Sequence, residues 1–132
     1  MTKSFLGAGV LIAAVRGNEA QIRTAVAVLR DPSRIFVASA FLRLELLPKA
    51  LFFREQVEAG FCEDFFARAT IWADPIQQVV EATEQIATQH GLNVLEALLV
   101  AAAIILGADE LVTTEGVHKP IHRGHEVRII SI

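Results

Sequence analysis

Ser4-Phe5-Leu6-Gly7-Ala8-Gly9-Val10-Leu11-Ile12, near the start of the chain, carries the pattern that decides the fold. Ser4 to Leu6 form a short buried strand, and Gly7-Ala8-Gly9 turn it directly into an apolar helical turn. The same alternation recurs. Ile35-Phe36-Val37-Ala38 is a second strand, after which Ser39 is placed to cap a helix beginning at Phe41. Thr70-Ile71-Trp72 is a third, followed at Asp74-Pro75-Ile76-Gln77 by an N-cap, a first-turn proline and a capping-box partner. Leu111-Val112-Thr113 and Val127-Arg128-Ile129-Ile130 are the last two strands.

Helices fill the intervals. Asn18 caps one that runs through Leu29, with Ile22, Val26 and Leu29 at helical spacing, and Asp31-Pro32-Ser33 breaks it. The helix from Phe41 contains Pro48, which removes a backbone donor and is expected to kink or divide it. Another runs from about Arg54 to Ala69, Gly91 ends the one after Asp74, and Asn93 caps a last apolar helix that stops at Gly107. Strands separated by helices imply right-handed crossovers and a largely parallel sheet covered on both faces. The expectation is a three-layer α/β fold forming a single domain over residues 1–132, without repeats, linkers or low-complexity runs. Ligands in such sheets bind beyond the carboxyl ends of the strands, which directs attention to Gly7 and to Thr114-Glu115.

Composition narrows the function classes. Of the 132 residues 53% are hydrophobic and 20% charged, enough apolar surface to fold a core. A formal net charge of -3 argues against binding nucleic acid through bulk positive charge, though not against an enzyme that cuts it at a carboxylate-rich site. Cys62 is the one cysteine, so no internal disulfide forms, and a reducing, cytoplasmic setting is expected. The apolar stretches Phe5 to Val15 and Leu92 to Leu106 read as buried core elements, not as an export signal or a membrane span.

Three carboxylates are the best chemical lead. Glu45 lies among apolar neighbours in Phe41-Leu42-Arg43-Leu44-Glu45-Leu46-Leu47, where a charge is costly without a partner or a metal; a solvated pairing with Lys49 at i+4 is the other reading. Glu96 is the third residue after the Asn93 cap, fit either to reach back to the cap's N–H or to face a site at the helix mouth. Glu115 follows a strand end, as a turn residue or as a site acid, and the basic stretch His118-Lys119-Pro120-Ile121-His122-Arg123 behind it is either solvated or touches phosphate. A dinucleotide fingerprint fails, because Ile12 stands where a third glycine belongs. The histidines and Cys62 make no zinc set, and neither a phosphate loop nor a nucleophile elbow is present.

On four segments the sequence resembles the PIN-domain family, in particular the VapC-like toxins of bacterial toxin–antitoxin modules. Phe5 to Ile12 is similar to the family's opening strand and turn, and Phe41 to Lys49 to its third-helix acid segment. Leu95-Glu96-Ala97-Leu98-Leu99-Val100-Ala101-Ala102-Ala103 resembles the later acid-bearing helix, and Leu111 to Glu115 the strand with its terminal acid. The resemblance implies a PIN-like three-layer domain and an Mg²⁺- or Mn²⁺-dependent ribonuclease whose metal activates water against an RNA phosphodiester. By the same resemblance Glu45, Glu96 and Glu115 are the catalytic and metal-binding acids, with Thr113 or Thr114 in support. Arg43, Lys119 and Arg123 become RNA-backbone contacts, and a cognate antitoxin and a homodimer the expected partners, with no role for a membrane.

Two departures bear on activity. The family's first acid is an aspartate at the end of the opening strand, where this chain has Gly7; its aspartate on the later helix is here Glu96, one methylene longer. Mg²⁺ demands near-octahedral geometry, so the reduced set implies weak metal binding and impaired cleavage. Three states fit the departure: a natural PIN domain weakened in catalysis that still binds RNA or antitoxin, an Asp-to-Gly change that silences a toxic nuclease, and an active enzyme with water in the vacated ligand position. The alternative to an enzyme is a non-catalytic PIN-fold interaction module. For it, Leu51, Phe52, Phe53, Phe61, Phe65 and Phe66 supply partner surface, although at least half of the phenylalanines are expected in the core.

Overall fold

A computed structural model describes residues 1–69, the backbone of 71–72, and residues 76–132. Among them strand and helix alternate: β1 Thr2–Leu6, α1 Ala8–Arg16, α2 Glu19–Leu29, β2 Arg34–Ala38, α3 Ala40–Phe52, α4 Gln56–Arg68, β3 Ile71–Trp72, α5 Ile76–His90, α6 Val94–Ile105, β4 Glu110–Thr113, a 3₁₀ turn Pro120–Arg123, and β5 Arg128–Ser131. The five strands form one sheet in the order β3-β2-β1-β4-β5, and every pairing is parallel. The helices pair as hairpins, α1 on α2, α3 on α4 and α5 on α6. Right-handed crossovers to successive strands on the two sides of β1 place these hairpins on both faces, which gives the expected three layers.

The central strands explain the stability of this arrangement. Phe5, Leu6, Val37, Leu111 and Val112 have no exposed surface, and Phe5 lies in register with Val37 on one side and Leu111 on the other. Each such side chain contributes about 1.5–3 kcal/mol through burial. Alongside them Ser4 and Glu110, also in register, are buried polar residues. Glu110 accepts from Ser4 Oγ at 2.6 Å and from Arg34 Nε at 2.9 Å, and Arg34 reaches Asp31 at 3.3 Å. This network closes the amino end of the sheet, at the opposite end of the strands from Gly7.

Several local expectations hold and others shift. Asn18 and Gln21 make the full reciprocal capping box, and Ser39 Oγ accepts from Phe41 N–H at 3.0 Å. Pro48 does not divide α3. The donor it lacks would have met the carbonyl of Leu44, and both residues face solvent, so water can satisfy that oxygen. The next helix starts at Gln56 because Arg54 takes a left-handed conformation, φ 55°, that ends α3. Arg54 N–H bonds Leu51 O and Glu55 N–H bonds Ala50 O, the paired bonds of a Schellman stop. The last strand begins one residue later than expected, at Arg128, leaving Val127 as a buried anchor before it. Thr70 and the Asp74-Pro75 helix start lie outside the described residues.

Candidate functional site

The sheet's order reverses direction between β1 and β4, and the two strands end side by side there. Gly7 N–H bonds the carbonyl of Val112 at 2.8 Å, which holds the start of α1 against the end of β4. Such a switch point leaves a crevice beyond the strand ends. The chain has a cavity of about 690 Å³ at this place, and Gly7, Glu45, Glu96 and Glu115 all line it, together with Thr113, Thr114 and Lys119. Four separate elements therefore deliver the residues that the sequence singled out.

Each is positioned by local chemistry. Glu45, on the middle turns of α3, has one carboxylate oxygen buried with no hydrogen-bond partner, so the i+4 pairing with Lys49 does not hold it. Burial pushes its carboxyl above the ordinary carboxylate range. Glu96 donates its backbone N–H to the Asn93 side chain at 2.9 Å, which fixes the first turn of α6. Among the described residues its carboxylate makes no reciprocal bond, unlike the Asn18–Gln21 pair of α2, and lines the cavity instead.

Glu115 is held from three sides. Its N–H bonds Thr113 Oγ1 at 3.0 Å, and its carbonyl accepts from Ser131 Oγ at 2.7 Å and pairs with His122 Nε2 at 3.1 Å. Since a carbonyl only accepts, His122 carries its proton on Nε2. Ser131 gave no sequence signal, and His122 was marked only as part of a basic stretch: both act on a backbone atom, and only the fold brings β5 and the 3₁₀ turn to it.

The two glycines at the start of α1 differ physically. A Cβ at Gly9 would stand 2.1 Å from Thr114 Oγ1, so this position admits no side chain without displacing Thr114. Gly7 has φ -70° and ψ 157°, ordinary extended backbone, and a Cβ there would meet Val112 O at 3.3 Å and Thr113 at 3.8 Å. A side chain at position 7 needs a shift of only a few tenths of an ångström. Nothing in the backbone demands glycine there.

Two of the three expected RNA contacts are engaged elsewhere. Arg43 lies over the Phe66 ring at 5.8 Å and within 3.9 Å of Glu63, on the α3–α4 side. Arg123 donates to the carbonyls of His90 at 2.9 Å and Gly91 at 3.4 Å, neutralising the carboxyl end of α5. Neither lines the cavity; Lys119 does. Of the apolar candidates, Phe65 and Phe66 are buried and Phe61 packs on the core, while Leu51, Phe52 and Phe53 are exposed. No helix among the described residues is long and apolar enough to cross a membrane on its own.

Carboxylate oxygens suit a hard cation, and the partnerless oxygen of Glu45 is the kind of atom a metal would satisfy. Yet among the described residues no three acidic, histidine or cysteine side chains stand close enough to share one ion, and the fourth corner is Gly7. The site as it stands is not a formed metal centre.

No family model and no curated protein matches the sequence. Its structure resembles a chain of the VapBC2 complex of Rickettsia felis bound to a DNA fragment from their promoter, with a TM-score of 0.74 at 14% identity over 99% of both chains. It also resembles a chain of the DNA-bound VapBC complex of Salmonella typhimurium, with a TM-score of 0.66 at 18% identity over 99% of this chain and 98% of that one. The chain has the PIN-like three-layer α/β fold, with a parallel sheet flanked by six described helices.

Proposed function

We propose that this chain is a toxin-type PIN-domain ribonuclease scaffold whose Mg²⁺- or Mn²⁺-dependent cleavage of RNA is impaired by the missing acid at Gly7. One observation carries the reading: Gly7, Glu45, Glu96 and Glu115, from four elements, line a single cavity at the switch point of the sheet. Electrostatics supports it. A cavity with three carboxylates and one lysine repels a phosphodiester unless a cation intervenes, so the residues make chemical sense for RNA only beside a metal. Glu45, Glu96 and Glu115 are the side chains that would hold it, and they would have to draw closer together to do so; Thr113 supports Glu115, and Lys119 contacts the RNA backbone. The incomplete donor set argues that the ion binds weakly and that turnover is low. A cognate antitoxin and a second copy of the chain are the proposed partners.

The test is cleavage of a labelled RNA pool in Mg²⁺ and in Mn²⁺, comparing the chain with Gly7→Asp. Cleavage by Gly7→Asp that EDTA stops and Glu45→Gln abolishes supports the reading. No cleavage by either protein removes it and favours the non-catalytic interaction module. The exposed Leu51, Phe52, Phe53 and Val57 around the α3–α4 corner are the observation on the module's side.

A further inference from the structure

The loop between β4 and β5 brings Lys119 to the cavity, and it is fastened at a distance from the cavity by contacts that the nuclease chemistry does not use. Arg123 NH1 reaches the carbonyls of His90 and Gly91 at the end of α5. His90 Nε2 stands 2.7 Å from Glu126 Oε1, and His125 N–H donates to Glu126 Oε2 at 3.0 Å. A carboxylate only accepts, so the His90 proton lies on Nε2. The bond to His90 is also the main reason why the Glu126 carboxyl lies below its ordinary range.

Two glycines make room for these contacts. A Cβ at Gly124 would stand 2.6 Å from Glu126 Oε2 and 3.0 Å from His90 Nε2; one at Gly91, where φ is +65°, would stand 2.9 Å from Arg123 NH1. Gly91 belongs to the short connection that leads into Asn93 and Glu96, themselves on the cavity wall. The same contacts thus tie together two walls of the site, the mouth of α6 and the loop of Lys119, with Ile121 buried between.

We propose that His90, Glu126 and Arg123 form a clasp that positions Lys119 at the cavity mouth for contact with RNA phosphate. They are positioning residues and touch no substrate; the inference rests on the nuclease reading for its ligand. It makes a prediction opposite in sign to bulk charge. Glu126→Gln removes a negative charge, which by itself tightens binding of a polyanion. If Glu126 instead holds the lysine in place, the same change weakens binding.

The experiment titrates a labelled single-stranded RNA pool in Mg²⁺ by fluorescence anisotropy, with RNA integrity checked by gel. It uses the full chain, Glu126→Gln, Lys119→Ala and the double variant, alongside hydrogen exchange of residues 116–127. The expected result is RNA binding about three- to tenfold weaker in Glu126→Gln, the range for one lost hydrogen bond. The double variant should be no weaker than Lys119→Ala alone, and loop protection should fall in Glu126→Gln. Equal or tighter RNA binding by Glu126→Gln, or additive losses in the double variant, overturns the clasp. Unchanged loop protection overturns it too. Absence of RNA binding by the unaltered chain counts against the nuclease reading and against a phosphate role for Lys119, and loop protection then judges the fastening by itself.

Discussion

Gly7→Asp should make the protein less stable without metal and more stable with it. The backbone accepts the residue, since φ -70° is open to any side chain and the new Cβ is tight only against Val112 O, at 3.3 Å, with Thr113 at 3.8 Å. Position 7 is also the N-cap of α1, where aspartate exceeds glycine by a few tenths of a kcal/mol, and replacing glycine stabilises by roughly 0.5 kcal/mol more through the unfolded chain. Against this, a new carboxylate faces the acidic cavity. Two like charges about 6 Å apart at an effective dielectric near 20 repel by about 3 kcal/mol, and solvent at a half-open site reduces this to about 2. The net is a loss of about 1 kcal/mol, a fall in Tm of about 4 °C for a domain of this size. A divalent cation reverses the sign, because it satisfies the added charge. At a hundredfold excess over Kd, binding returns about 2.7 kcal/mol, a rise of about 10 °C, while the unaltered chain moves much less. Differential scanning fluorimetry across a Mn²⁺ titration reads both effects. Equal metal shifts in the two proteins would refute the idea that position 7 is the gap in the donor set, and no shift in either would refute a metal site in this cavity.

Glu45→Gln should stabilise the metal-free protein at pH 7 by about 1 kcal/mol, the cost of a half-buried carboxylate without a partner, discounted for its exposure. Because burial raises the folded carboxyl above its unfolded value, the unaltered chain loses stability as pH rises through that interval, and Glu45→Gln does not. Urea titrations at pH 4 and pH 7 should find the gain at pH 7 only; a gain at pH 4 would sink the argument. Gly9→Ala should cost at most about 1 kcal/mol, because the clash falls on the exposed Thr114 side chain, which can turn aside, and alanine gains about 0.5–1 kcal/mol in the helix; Thr114→Ala should restore part of any loss, since the Thr114 Cβ remains at 3.3 Å. Denaturation midpoints of the two single variants and the double variant decide this. Arg34→Met should cost about 3 kcal/mol by stranding the buried Glu110 carboxylate, and Glu110→Gln added to it should recover stability in the same assay. Additive losses would place the cost in packing, not charge.

Much of this architecture is readable from the chain because parallel strands covered on both faces must be apolar along their length. Phe5-Leu6, Val37-Ala38 and Leu111-Val112 announce themselves, and Asn18, Ser39, Asn93 and Gly107 mark helix ends through chemistry local to a few residues. The cavity follows almost as directly, since strand ends point to Gly7 and Glu115. What escaped the reading depends on contacts between distant segments. Arg123 looks like any loop cation until the end of α5, 32 residues away, lies beneath it. Glu110 looks like a strand-edge residue until Arg34 folds over it. Pro48 looks like a break because a sequence does not say which side of α3 faces water. Arg54 stops α3 in a conformation that glycine normally takes, so no composition signal marks the end.

The contrast between Gly7 and Gly9 separates scaffold from chemistry. Gly9 is fixed by packing: its α1 turn presses on Thr114, and any side chain there acts first on the fold. Gly7 is constrained far less: a Cβ there would meet the Val112 carbonyl at 3.3 Å, which must give by a few tenths of an ångström. The sheet pairing, the cap of α1 and the burial of Phe5 and Leu6 are all served by its backbone alone. A residue at position 7 is therefore free to be chosen for what its side chain does in the cavity. Glycine adds no charge beside the partnerless Glu45 oxygen and leaves the carboxylate set at three. On the proposed nuclease reading, the crevice, the three glutamates and the anchored Glu115 loop are kept while position 7 supplies no acid. That reading predicts that Gly7→Asp changes RNA cleavage while leaving partner binding unchanged, so that one side chain separates the two.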